Sequence, residues 1–133
     1  DVTKFELLDV WGKKTTLEKF AGKKILLNFW AISCADCHEN ILALNKIVAK
    51  HPNINIIGVN IGEDSEKVRG FIRDKNISHQ ILIDKNATVA KILDIGGIPA
   101  QILIDEYGEA TDLYYGSITL NERVMRSVLS ALY

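Results

Sequence analysis

Cysteine is almost absent from this chain: two residues, Cys34 and Cys37, in 133. That excludes a scaffold stapled by several disulfides. No apolar run reaches the roughly 18 residues that a membrane span needs, and no signal peptide is visible. Neither sign of charge dominates. Sixteen Lys and Arg stand against 17 Asp and Glu, a formal net charge of −1. Without a basic excess there is no electrostatic footprint for nucleic acid, and none is expected as a partner. Lysines 13, 14, 23 and 24 read as solvated loop and strand-end positions. The first residue is Asp1 rather than Met, which fits a processed or trimmed chain, from which any leader or anchor would already have been removed. At 47% hydrophobic and 25% charged residues, the composition is that of an ordinary soluble domain. No repeat, low-complexity tract or linker divides it, so one domain over residues 1–133 is expected.

What is present centres on Trp30-Ala31-Ile32-Ser33-Cys34-Ala35-Asp36-Cys37-His38. It follows the apolar run Ile25–Trp30 and precedes an amphipathic segment that reaches about Lys50. Both cysteines therefore sit where a buried strand turns into a helix. On a first helical turn, residues i and i+3 share a face, with Cβ atoms about 5–6 Å apart. Disulfide Cα separations peak at about 5.5–6 Å. The pair can open and close with little backbone movement, as a reversible dithiol requires.

Along the chain, Phe5–Val10 and 15–17 read as short strands around a turn at Gly12-Lys13. Leu17–Phe20 reads as one helical turn ended by Gly22. Ile25–Trp30 is expected as a central strand covered on both faces. The next helix presents Ile41, Leu42, Leu44, Ile47 and Val48 inward and ends at His51-Pro52. A β-branched strand spans Ile54–Asn60. Asp64 is an N-cap candidate for a helix packed through Val68, Phe71 and Ile72, which stops at Asn76. Gln80–Ile83 reads as a strand, and Asn86–Leu93 as a short helix turned inward at Val89, Ala90 and Leu93. Gly96-Gly97-Ile98-Pro99 breaks the pattern. Strands at Gln101–Ile104 and Ala110–Tyr115 flank a hairpin turn. Thr119-Leu120-Asn121-Glu122 is a capping box for a last helix with Val124, Val128, Leu129 and Leu132 inward. The expected architecture is an α/β sandwich, a mixed sheet between helices.

Nearly the whole chain resembles the thioredoxin superfamily, and within it the TlpA/ResA-like thiol-disulfide oxidoreductases. The residues that carry the resemblance are Phe29-Trp30-Ala31-Ile32-Ser33-Cys34-Ala35-Asp36-Cys37, Val59-Asn60-Ile61-Gly62-Glu63, and Gly97-Ile98-Pro99 running on to Ile104-Asp105. The N-terminal hairpin and an extra central βα unit at about residues 80–93 are also features of that branch. The chain departs from the pattern where many relatives have proline: Ala35-Asp36 lies between the cysteines and Leu42 beyond them. Asn40 stands where the branch often has Glu, with Glu39 one position earlier. Asn28 stands where ordinary thioredoxins bury an Asp.

Cys34 is the candidate nucleophile, because backbone N–H groups and the helix dipole favour a thiolate there. Cys37, one turn deeper, is the resolving cysteine. Asp36 and Glu39 oppose further negative charge at that helix start, which points to a less acidic thiol and a reducing couple. As solvated carboxylates they would equally serve the helix start. The resemblance implies that Pro99 follows a cis bond and that the backbone of Ile98 meets an extended substrate. It also makes Glu63 a proton-relay candidate, with Glu39 beside it. Trp30 either shapes the docking surface or is simply a core aromatic. Trp11, Tyr114 and Tyr115 are expected to pack or to line the rim, and His51 and His79 to be exposed.

No cofactor is expected beyond the Cys34–Cys37 disulfide, and no metal. The resemblance implies protein disulfide substrates, an upstream thiol donor, a monomer and a place outside the cytoplasm, in the periplasm or cell envelope, with a membrane tether through a removed N-terminal segment. Cytochrome c maturation, envelope or spore assembly and general thiol maintenance are the processes it implies. The rival reading takes Cys34-Ala35-Asp36-Cys37-His38 as C-x-x-C-H, the c-type haem attachment motif, or as a metal-carrying set that lacks a fourth ligand. A redox-inactive docking module is the remaining alternative.

Overall fold

The structure, a computed structural model, describes residues 1–118 and 122–133, apart from the side chains of Glu122 and Val124. Its elements are β1 (Leu7–Leu8), β2 (Lys14–Thr15), β3 (Ile25–Trp30), α1 (Ala35–Lys50), β4 (Asn55–Asn60), α2 (Ser65–Asp74), β5 (Gln80–Ile83), α3 (Thr88–Ile92), β6 (Ala100–Ile104), β7 (Ala110–Tyr115) and α4 (Glu122–Leu132). The strands form one sheet in the order β2-β1-β5-β4-β3-β6-β7. β3, β4 and β5 run parallel, while β6, β7 and the β1–β2 hairpin pair antiparallel. This is the thioredoxin-like α/β fold, with the N-terminal hairpin and the added β5–α3 unit in place.

β3 lies inside because all six of its residues are buried. Alternation sends Ile25, Leu27 and Phe29 to one face, with Ile57, Val59, Leu82, Val89 and Ile102. Leu26 faces the other way, towards Leu44, Leu103 and Val128. Trp30, on that same face, joins a separate cluster with Cys37, Ile41, Val68 and Phe71. Between these last two clusters lies a polar layer from three elements. Asn28 Nδ2 donates to Gln101 Oε1 (3.0 Å), and Gln101 Nε2 donates to Asn40 Oδ1 (3.0 Å) and to the Gly116 carbonyl (3.1 Å). Asn40 Oδ1 also accepts the Ile118 N–H at 2.7 Å. All three side chains are fully buried, where amides are tolerated only when bonded to one another.

Two glycines are required by close approach. A Cβ on Gly58 would lie 2.5 Å from Ile81 Cδ1 and 3.1 Å from Trp30 Nε1. Gly62 has φ +66° and meets the Asp84 carbonyl and the Asn86 N–H, so a side chain there would be both strained and crowded.

Several expectations need correction. Leu42 is 46% exposed, not inward. It flanks a groove with Glu39, Ala43, Met125 and Leu129 that α4 leaves open. The N-terminal strands are only two residues each, and a 3₁₀ turn at Val2–Lys4 precedes them. Asn86 and Ala87 adopt left-handed backbone, so α3 begins at Thr88 rather than Asn86. His79 is buried rather than exposed, since its Nδ1–H reaches Asn45 Oδ1 on α1 at 3.1 Å. His51 is half-buried against Tyr133. The N-cap at Asp64 and the stop at Asn76, with φ 51°, stand as expected. Thr119, Leu120 and Asn121 of the capping box lie outside the described residues.

Candidate active site

Three loops meet at one end of the sheet because of register. Parallel pairing aligns Trp30 with Asn60, so residues 61–64 leave the sheet beside residues 31–34. Antiparallel pairing aligns Phe29 with Ala100, which brings Ile98-Pro99 to the same end. The Ile61 N–H donates to the Trp30 carbonyl at 2.9 Å and closes the seam between the first two.

Cys34 and Cys37 form a disulfide, with Cα atoms 5.3 Å apart. Cys34 is the N-cap of α1, in extended backbone, and its Sγ accepts the Cys37 N–H at 3.2 Å. It is half-buried, whereas Cys37 is 0% exposed. The two sulfurs thus differ in their access to solvent. A thiolate at a helix N-terminus gains up to about 2 kcal/mol from the dipole in partly buried geometry, and a bond from a backbone N–H adds to this. Cys37, sealed in the core, has neither that access to solvent nor that cap.

The Ile98–Pro99 bond is cis. Pro99 is buried and Ile98 half-buried. They line an open groove of about 400 Å³ with Gly96, Gly97, Tyr115 and Gly116. The Tyr115 hydroxyl accepts the Gly96 N–H at 2.9 Å and pins this loop to β7, a role that its place in an alternating strand did not signal. Glu63 Oε1 accepts the Ile32 N–H at 2.5 Å and Asn60 Nδ2 at 2.8 Å. The carboxylate is thus one loop away from Cys34. Glu39, two residues beyond Cys37, lines the groove between α1 and α4. Trp30 is 0% exposed, its ring 5.3 Å from that of Phe71. It lies beneath the site and offers no surface for docking. Trp11 is 69% exposed and stacks under Arg69, 4.3 Å from its ring centroid.

Two buried polar atoms lie close to Gly58. Trp30 Nε1 and His79 Nε2 lie 3.1 and 3.5 Å from the point a Cβ there would occupy, and neither has a hydrogen-bond partner among the described residues. Because His79 Nδ1–H donates to Asn45, its Nε2 is the bare acceptor. Burial lowers the pKa of this imidazole from 6.5 to about 4.

Residues 1–112 match the sequence model of the AhpC/TSA family. The chain belongs to the AhpC/TSA family. It is 30% identical over 128 residues to "Thiol-disulfide oxidoreductase ResA" of Geobacillus kaustophilus, which covers 93% of this chain and 74% of that one. It is 34% identical over 122 residues to "Thioredoxin-like protein YneN" of Bacillus subtilis, covering 89% and 71%. In structure it superposes on the pneumococcal exposed lipoprotein thioredoxin Etrx1 of Streptococcus pneumoniae with a TM-score of 0.77 at 22% identity, covering 95% and 97%. That last likeness speaks for the fold alone. The family assignment agrees with the geometry, in which a dithiol at the mouth of a helix is the reactive feature.

Proposed function

We propose that Cys34 attacks and Cys37 resolves in a reaction that reduces disulfides of other proteins. The chain is a thiol-disulfide oxidoreductase, and its redox group is its own dithiol. The observation that carries the division of labour is the half-exposed, N-H-capped Cys34 sulfur beside a sealed Cys37.

In the reduced form the Cys34 thiolate attacks one sulfur of a substrate disulfide. A Cys34–substrate disulfide forms, and the other substrate sulfur leaves as a thiolate and takes a proton. Cys37 then gives up its proton and attacks Cys34 Sγ. The Cys34–Cys37 disulfide forms, the second substrate sulfur leaves, and two electrons have passed to the substrate. An upstream thiol donor restores the dithiol. The substrate segment lies along the groove beside Ile98 and Pro99, where exposed backbone can pair with an extended chain. Glu63, held to the Ile32 N–H, is the group we assign to proton transfer near Cys34.

We place the reaction outside the cytoplasm, with secreted or envelope proteins as substrates. Apocytochrome c, which must present free thiols, is one substrate class that fits. The C-x-x-C-H motif is not read as haem attachment: Cys37 is sealed in the core, and His38 Nε2 is engaged with the Ile32 carbonyl at 2.8 Å.

The test is Cys37→Ser, which leaves the attacking sulfur without its resolving partner. Mixed with a protein disulfide, it should accumulate an adduct through Cys34 that dithiothreitol releases. Absence of that adduct, with Cys34 alkylatable, overturns the assignment.

A further inference from the structure

His38 is the residue of the cysteine motif that disulfide exchange does not use. It stands one helical turn beyond Cys34 on α1 and is half-buried. Its Nε2 lies 2.8 Å from the Ile32 carbonyl oxygen. A carbonyl can only accept, so Nε2 carries the hydrogen. The other side of the same residue is also engaged, since the Ile32 N–H donates to Glu63 Oε1. Both polar groups of Ile32 are therefore held by side chains, one from α1 and one from the loop after β4. The imidazole itself rests on Phe71, with centroids 5.0 Å apart.

The importance of this bracket changes with redox state. While the disulfide is closed, Cys34 is tethered to α1 through Cys37. On reduction that tether opens. The bonds that do not depend on the disulfide are the Cys34 N–H to the Ala31 carbonyl (3.2 Å), the Cys37 N–H shared between the Cys34 carbonyl (3.1 Å) and Sγ (3.2 Å), and the two bonds to Ile32. Ordering three loop residues costs backbone entropy comparable to what a few such bonds contribute, so the loss of one is felt most in the reduced form. We propose that His38 is a positioning residue: through the Ile32 carbonyl it keeps the reactive loop folded once the disulfide is open, so that Cys34 remains the N-cap of α1 and its thiolate keeps the Cys37 N–H. This rests on Cys34 being the attacking sulfur.

The competing account is that His38 merely packs on Phe71, and two substitutions separate the two. His38→Phe keeps a ring on Phe71 and removes the donor. His38→Gln keeps a donor at similar reach and removes the ring. The readout is the rate of Cys34 alkylation by iodoacetamide in the reduced protein, measured across pH, beside the melting temperature of the oxidised protein. His38→Phe should slow alkylation at pH 7 by roughly two- to twelvefold, the factor one net hydrogen bond corresponds to, and move the rate–pH midpoint upward. His38→Gln should stay within about twofold of the native rate, because the donor is kept. In the native protein the Ile32 amide should remain protected from hydrogen exchange after reduction. An indifferent His38→Phe, equal slowing in both variants, or an Ile32 amide that loses protection on reduction overturns the proposal. If native Cys34 reacts no faster than an unstructured thiol, the nucleophile assignment falls as well, whereas a fast native Cys34 with an indifferent His38→Phe sinks this proposal alone.

Discussion

Protonation of His79 should destabilise the fold in a defined pH window. Burial beside Trp30 and Gly58 lowers its pKa from 6.5 to about 4, so the unfolded chain binds a proton more readily than the folded one. In that case stability rises with pH. The contribution of neutral His79 is complete above pH 6.5 and is lost as pH falls from there to about 4. The full shift corresponds to about 3 kcal/mol at 1.36 kcal/mol per unit, and about 2 kcal/mol of it is lost between pH 7 and pH 4.5. Carboxylates titrate in the same range, so a reference is needed. His79→Asn supplies it: an amide can still donate to Asn45 and does not titrate. Urea unfolding of both oxidised proteins at pH 7 and pH 4.5 gives two stability differences. The native protein should lose about 2 kcal/mol more than the variant. Equal losses in the two proteins, to within about 0.5 kcal/mol, would refute the claim that His79 is kept neutral by burial.

Gly58→Ala should destabilise the protein by about 1–3 kcal/mol through overpacking. Because the nearest clash is with the terminal methyl of Ile81, Ile81→Val should recover part of that loss in the double variant, and urea titrations of the two singles and the double would read the coupling. Asn40→Leu strands the Ile118 N–H and removes one of the two acceptors of Gln101 Nε2; a loss of about 2–4 kcal/mol is expected, because a stranded buried donor costs about 1–3 and a lost net hydrogen bond about 0.5–1.5, and chemical denaturation checks it. Glu63→Gln keeps an acceptor for the Ile32 N–H but cannot take up a proton, whereas Glu63→Ala loses both. If Glu63 moves protons, turnover of a model protein disulfide should fall in both variants. If it only holds the loop, Gln should behave as native.

How much could be read beforehand differs from element to element. The β3-to-α1 junction was legible because an apolar run followed by helical spacing is a local pattern, and Cys34 and Cys37 were placed on one turn by the same arithmetic. Leu42 departs from its helical pattern because spacing identifies a face but not the neighbour that covers it, and α4 leaves that part of α1 in a groove. The burial of His79 has no local signal, because its partner Asn45 lies far away in sequence on α1. The amides Asn40 and Gln101 carried only a faint signal, polar residues on otherwise inward stripes. Their pairing with Asn28 exists only once β3, β6 and α1 are side by side.

The order of residues alone settles that two sulfurs share the first turn of a helix behind a buried strand, since that depends on backbone geometry over a few positions. Which groups surround those sulfurs was decided by the sheet. Parallel pairing of β3 with β4 delivers Glu63, and antiparallel pairing of β3 with β6 delivers Ile98 and Pro99. Burial then separates a reachable Cys34 from a sealed Cys37. Those are consequences of strand register and packing between distant segments, and no local pattern contains them.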